Sequence, residues 1–141
     1  MIKVALLTKE ARLPTRSTPL SAGLDLYSSC MKIIWPNSIE IIETGIKVAL
    51  TPDVYGRIAP RSGVSLRSIS VGGGVIDSDY VGEVKVILCN HHQSRPFYIA
   101  IGDRIAQLIL EKIALYDVVE AQPDDLIFHG NRLEGFGSSG K

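Results

Sequence analysis

The stretch Gly72-Gly73-Gly74-Val75-Ile76-Asp77-Ser78-Asp79-Tyr80-Val81-Gly82-Glu83 decides how the chain is read. An apolar run enters it, and a second, Val84-Lys85-Val86-Ile87-Leu88-Cys89, leaves it. Strand, short polar turn, strand is the pattern of a β-hairpin. The glycines that open the stretch let a flat ligand lie against the main chain, because they carry no Cβ. Asp77 at the mouth of such a hairpin is placed to take a proton from water. Taken alone, the stretch fits an ordinary loop with solvated acids equally well, since aspartates are common in turns.

Working outward toward the N-terminus, most of the chain reads as strands. Residues 54–59 and 46–50 are short β-rich runs, separated by the Pro52-Asp53 turn signal and preceded by the breaker Gly45. Residues 33–35 and 39–42 flank a Pro36-Asn37 turn. Residues 22–29 form another strand, with Leu24 and Leu26 alternating against Asp25. Two prolines make residues 12–18 an extended loop, and residues 2–7 read as the first strand. Turn signals about every ten residues give the cadence of an all-β sandwich or barrel.

Two stretches depart from that cadence. Residues 61–69 start with Ser62-Gly63 and carry Val64, Leu66 and Ile69, the makings of one short helix. In residues 103–116, Ile105, Leu108, Ile109 and Ile113 fall at helical spacing, so periodicity by itself predicts a helix there.

The chain has 141 residues, with fifteen basic and fifteen acidic side chains. That length predicts one domain able to bury a core without covalent staples. Zero net charge gives no electrostatic case for nucleic acid or for a membrane surface. Cys30 and Cys89 have neither metal spacing nor a disulfide pattern, which fits a reducing, intracellular setting, cytoplasmic or nuclear. The apolar run at Val4 to Leu7 is too short for a signal or a membrane span.

Several short motifs are bland individually. Arg61-Ser62-Gly63 after Pro60 offers a guanidinium fork, a hydroxyl and free amides, a set suited to phosphate oxygens. Asp103 and Arg104 read as a structural ion pair or turn, and Gln107 is the odd polar residue in an apolar run. The tail, residues 135–141, holds Phe136 between glycines, followed by Ser138 and Ser139. It reads either as a disordered end or as a lid that stacks on a base and caps phosphates.

Taken in order, "AGLDLYSS", "PRSGVSLRSI", "GGGVIDSDYVGEV", "IGDRIAQLI" and "GFGSSG" resemble the five motifs of the trimeric dUTPase family, from Ala22 to Gly140. The resemblance implies a distorted jelly-roll β-barrel with at most one short helix, and it places residues 103–110 mostly in a strand. It implies a barrel domain over residues 1–130 and a C-terminal lid arm over residues 131–141. The activity implied is hydrolysis of dUTP to dUMP and pyrophosphate, which limits uracil in DNA and supplies dUMP for dTMP synthesis. The implied assembly is a homotrimer with active sites shared between subunits.

Carried over by position, the resemblance makes Asp77 the group that activates water for attack on the α-phosphorus. Tyr80 would lie under the deoxyribose and exclude a 2′-hydroxyl. The main chain at Gly74 and Val75, and across at Lys85, would read uracil's edge. Arg61, Ser62, Gly63 and Gln107 would hold phosphates, and Asp25 would position a hydrated Mg²⁺ carried mainly by the triphosphate. Arg132, Phe136, Gly137, Ser138 and Ser139 would form the lid.

The last motif departs from the family pattern R-G-x-x-G-F-G-S-T-G. Leu133 follows Arg132 where glycine is usual, Arg132 stands one residue closer to Phe136, and Ser139 replaces threonine. Val81 stands where arginine is frequent, and Lys85 where a small residue is common. Two other readings share the pattern in part: a dCTP deaminase on the same barrel, and a non-catalytic, dUTPase-like binding protein. The intact Asp77, Tyr80 and G-F-G weigh against both.

Overall fold

The computed structural model describes residues 2–127. Its strands are β1 (Lys3–Leu6), β2 (Leu24–Tyr27), β3 (Lys32–Ile34), β4 (Ser38–Glu43), β5 (Ile46–Ala49), β6 (Val54–Ala59), β7 (Ile69–Gly72), β8 (Val75–Ile76), β9 (Lys85–Asn90), β10 (Phe97–Ile99) and β11 (Arg104–Lys112). The helical content is one turn, α1 (Ser62–Ser65), and a 3₁₀ turn at Pro123–Asp125. No helix among the described residues is long and apolar enough to cross a membrane.

All pairings are antiparallel. A four-stranded sheet runs β2-β11-β6-β8 and a three-stranded sheet runs β4-β9-β7, with the ladders β1-β5 and β10-β3 beside them. This is a jelly-roll-type barrel. Period-2 alternation turns Val86, Leu88 and Asn90 of β9 inward while Lys85 stays exposed. Leu26, Ile34, Ile42, Ile46, Val84 and Ile105 complete the same continuous core. Each such side chain removed from water contributes about 1.5–3 kcal/mol.

The helical periodicity of residues 103–116 is overturned, and the strand expectation holds. β11 is an inner strand of its sheet, paired to β2 through Gln107↔Asp25 and to β6 through Leu108↔Ile58. Its misleading spacing has a local cause. A register shift between Arg104 and Ala106 turns both Ile105 and Ala106 inward, so burial does not alternate there. Tertiary pairing outweighs the helix propensity of an aliphatic run.

The hairpin needs a correction too. β7 does pair with β9, with Gly72 opposite Ile87. The residues after Gly72, however, leave that ladder. β8 crosses to the other sheet and pairs with β6, Gly56 opposite Ile76. The stretch is therefore a bridge between two sheets, and its glycines are what let it cross.

Candidate active site

The crossing builds a cleft of about 310 Å³. Gly73 and Gly74 both have positive φ, 59° and 101°, a region that side chains with a Cβ rarely enter. A Cβ on Gly74 would also stand 2.8 Å from the Ile58 carbonyl oxygen. The two backbones meet so closely that the Ile58 N–H donates to the Gly74 carbonyl at 2.7 Å. Through this joint, Gly72, Gly74, Val75, Asp77 and Tyr80 from the crossing segment face Lys85 and Ile87 of β9 across one opening. Its volume lies at the low end of the ~300–1,000 Å³ typical of small-molecule sites.

Asp77 is exposed at the rim, and its carbonyl accepts the N–H of Tyr80 at 3.1 Å, closing a tight turn. The Tyr80 ring folds back over the turn, and its hydroxyl donates to the Glu83 carbonyl at 2.9 Å. That path is open only because residue 82 is glycine. A Cβ there would lie 2.3 Å from the Tyr80 hydroxyl and 2.5 Å from Cζ. Glu83 anchors the far end, its Oε1 accepting the Gly45 N–H at 2.8 Å. Lys85 Nζ stands 3.6 Å from Glu83 and 4.0 Å from Glu43. The Cys30 thiol donates to Glu43 at 3.1 Å and holds its carboxyl below the ordinary range, with Lys32 and Lys85 helping.

A second polar centre forms around Asp25. The residue sits on β2 but is buried, at 7% exposure, so the simple alternation read from Leu24-Asp25-Leu26 fails there. Arg61 Nε donates to its Oδ1 at 2.8 Å, and Arg104 Nη1 and Ser17 Oγ reach its Oδ2 at 3.3 Å. Arg104 thus pairs with Asp25 rather than with Asp103, whose carboxylate accepts the Ala100 N–H at 2.9 Å. Gln107 ties its Nε2 to the Pro60 carbonyl at 2.9 Å, fixing the start of the Arg61 loop. Gly23 makes room for it, since a Cβ there would stand 2.2 Å from Gln107 Oε1. Ser62 and Gly63 open α1 and are exposed, and a Cβ on Gly63 would meet nothing within 4 Å.

These donors do not make a resident metal site. Both Asp25 oxygens already face guanidinium groups, and among the described residues no three His, Cys, Asp or Glu side chains gather as a metal cluster. In this arrangement Asp25 is the counter-ion that organises Arg61 and Arg104.

The structure thus gathers Asp77, Tyr80, Gly74, Val75 and Lys85 at one cleft, and Arg61, Gln107 and Asp25 at another centre. No residue of the Asp25 centre lines the Asp77 cleft. Arg132, Phe136, Gly137, Ser138 and Ser139 lie outside the described residues. Sequence reasoning missed Gly82, Gly23 and Glu83 as supports. All three lie inside the quoted motifs, but nothing local marked them as supports.

Fold and cleft together define a small jelly-roll barrel with a nucleoside-sized slot beside a carboxylate. A model of the dUTPase family matches residues 9–140. The deoxyuridine 5'-triphosphate nucleotidohydrolase of Debaryomyces hansenii is 47% identical over 141 residues, covering 99% of this chain and 88% of that protein. The enzyme of the same name from Camelpox virus is 46% identical over 133 residues, 94% of this chain and 88% of its own. Among solved structures, the dUTPase of Staphylococcus bacteriophage 80alpha, described with dUPNHPP, matches with a TM-score of 0.91 at 26% identity, covering 100% of this chain and 99% of that one. The dUTPase of phage phi11 of S. aureus, described as coordinating a structural Mg(II) ion, shares the fold with a TM-score of 0.82 at 23% identity over 86% of this chain and 97% of its own. The chain belongs to the dUTPase family and is a hydrolase.

Proposed function

We propose that this protein hydrolyses dUTP to dUMP and pyrophosphate. The observation that carries the reading is the cleft in which the glycine crossing, Asp77 and the folded-back Tyr80 meet. Uracil lies against the main chain at Gly74 and Val75, with Lys85 opposite. A slot walled by backbone rejects cytosine through mismatched donors and acceptors, and thymine through lack of room for a methyl group. Tyr80, held by Glu83, lies under the deoxyribose and crowds a 2′-hydroxyl.

Asp77 takes a proton from water, and the hydroxide oxygen bonds to the α-phosphorus. The bond from that phosphorus to the bridging oxygen breaks, and pyrophosphate leaves with the electron pair. Arg61, Ser62, Gly63 and Gln107 bind phosphate oxygens, so most of the acceleration comes from positioning and charge stabilisation. Asp25 sets the aim of Arg61. Mg²⁺ belongs in this reading to the triphosphate, and no step runs through a protein-held metal.

The separation of the two centres on one chain supports a homotrimer with shared sites. One subunit gives the Asp77 cleft, a second the Arg61 and Gln107 centre, and a third the lid with Arg132, Phe136, Gly137, Ser138 and Ser139. Trp35, Ile39, Ile41, Tyr116 and Val118 are exposed apolar residues that assembly would cover. The barrel over residues 1–130 is then the scaffold, and residues 131–141 the arm.

The direct test is to incubate the pure protein with dUTP, dCTP and UTP in the presence of Mg²⁺ and to identify the products. dUMP and pyrophosphate from dUTP, with UTP left largely intact, is the expected outcome. Deamination of dCTP, or tight dUTP binding without turnover, overturns the reading.

A further inference from the structure

A second cleft, of about 350 Å³, lies between the turn after α1 and the β9–β10 loop, and no step above uses it. Arg67, Ser68, Asn90, His92, Arg95 and Phe97 line it, and no carboxylate does. Among the described residues neither Arg67 nor Arg95 makes an ion pair, so no described carboxylate meets either guanidinium charge. That contrasts with the neighbouring Arg61 and Arg104, whose charge Asp25 already meets.

The cleft is built rather than incidental. Asn90 is buried at 2% exposure, and its whole amide is spent on shaping the loop. Nδ2 donates to the carbonyls of Ile34 at 3.0 Å and Arg95 at 2.9 Å, while Oδ1 accepts the His92 N–H at 3.0 Å. His92 Nδ1 in turn accepts the N–H groups of Ser94 at 3.1 Å and Arg95 at 3.0 Å. With Nδ1 an acceptor, the ring proton is assigned to Nε2, and that nitrogen is a donor only. On the opposite wall the Arg67 guanidinium sits 4.5 Å from the centroid of the Phe97 ring, a cation–π contact. The two walls are joined where the His91 N–H donates to the Ser68 carbonyl at 2.9 Å.

We infer that this cleft is a binding site for a phosphate-class oxyanion, orthophosphate or pyrophosphate, held by Arg67 and Arg95 with His92 Nε2–H as a third donor. Guanidinium forks match the paired oxygens of such an anion, and a preformed donor set loses little on binding. The cleft has room for one or two phosphoryl groups, and its polar, doubly cationic lining rather than its volume favours an anion. Arg67 also lines the adjoining cleft with Arg61 and Arg104, so the site opens beside the Asp25 centre without including it.

The test is a titration of the full-length, isotope-labelled protein with sodium phosphate and, separately, sodium pyrophosphate at matched ionic strength. Resonances of the His92 imidazole and the Ser94 and Arg95 amides are followed. Saturable shifts at these three residues are expected, and the arm that saturates at the lower concentration identifies the preferred anion. Arg67→Gln with Arg95→Gln weakens that binding about tenfold or more, and Arg95→Gln alone changes an exposed side chain that makes no hydrogen bond among the described residues, so it should keep the fold. dUTP turnover stays unchanged in Arg95→Gln. No saturable shift at His92 with either anion, or the same shifts in Arg95→Gln at the same concentrations, overturns the assignment.

Discussion

Gly82→Ala probes the support beneath Tyr80. The added methyl carbon would stand 2.3 Å from the Tyr80 hydroxyl, against 3.4–4 Å for an ordinary contact, so the ring tip must move by about 1 Å. The move breaks the bond from Tyr80 to the Glu83 carbonyl. A lost hydrogen bond of this kind costs about 0.5–1.5 kcal/mol. Tyr80 is 45% exposed, so the ring swings outward without opening a cavity. Stability therefore falls only slightly, by roughly 4 °C in Tm. The functional cost is larger, because misplacing a positioning group by about 1 Å can cost ~10²-fold in rate. The variant should keep its fold and lose between about tenfold and a hundredfold in kcat/KM for dUTP. Its preference for dUTP over UTP should narrow, because the sugar floor has tilted. Steady-state kinetics on both nucleotides, beside a thermal melt, read all three quantities. A variant with wild-type kcat/KM and wild-type preference would refute the reasoning, since Tyr80 would then not depend on the gap at residue 82.

Asp77→Asn keeps the shape of the carboxylate without its basicity, so turnover should drop about 10²–10⁴-fold while a non-hydrolysable dUTP analogue still binds by calorimetry; near-normal turnover would remove Asp77 from its role. Glu43→Gln tests the Cys30 contact. The folded-state pKa of Glu43 lies below its ordinary 4.5, so the carboxylate's stabilisation is present above that pH and is lost as pH falls through the folded value. The difference in Tm between wild type and Glu43→Gln should shrink over that acid range, and a constant difference from neutral to acid would contradict it. In the tail, Arg132→Ala should cost less kcat/KM than Phe136→Ala, because Arg132 stands one residue closer to Phe136 than the family pattern puts it; the reverse order would mean that the intervening residues restore its reach. Co-refolding Asp77→Asn with a chain truncated before Gly135 should restore part of the activity that each lacks alone. Mixed trimers shown to form yet inactive would place the cleft and the lid of each site on one subunit.

The all-β class was legible because Val86-Ile87-Leu88 and Ile39-Glu40-Ile41 are β-rich and their turns carry Gly, Pro or Asn at close intervals. Asp77, Tyr80 and the glycine triplet were legible because ordered motifs name residues without needing coordinates. Local chemistry could not say which strands pair. Val75 and Ile76 look continuous with the hairpin, yet they pair with β6 in another sheet, because Gly73 and Gly74 take a positive-φ turn that residues with a Cβ rarely adopt and because a Cβ at Gly74 would press on the Ile58 carbonyl. Residues 104–112 satisfy a helical period as well as a strand. Only the presence of β2 on one side and β6 on the other made the strand the conformation that satisfies their backbone groups. Leu24 and Leu26 alternate against Asp25 in the sequence, which sets Asp25 on the face away from the core. Burial beneath Arg61 and Arg104, residues 36 and 79 positions away, turned it into their counter-ion. Sequence thus determined the residue inventory and the local preferences, which depend on neighbours along the chain. The tertiary structure decided pairing, burial and the partners of each charge, because these depend on residues far apart in sequence meeting within a few ångströms.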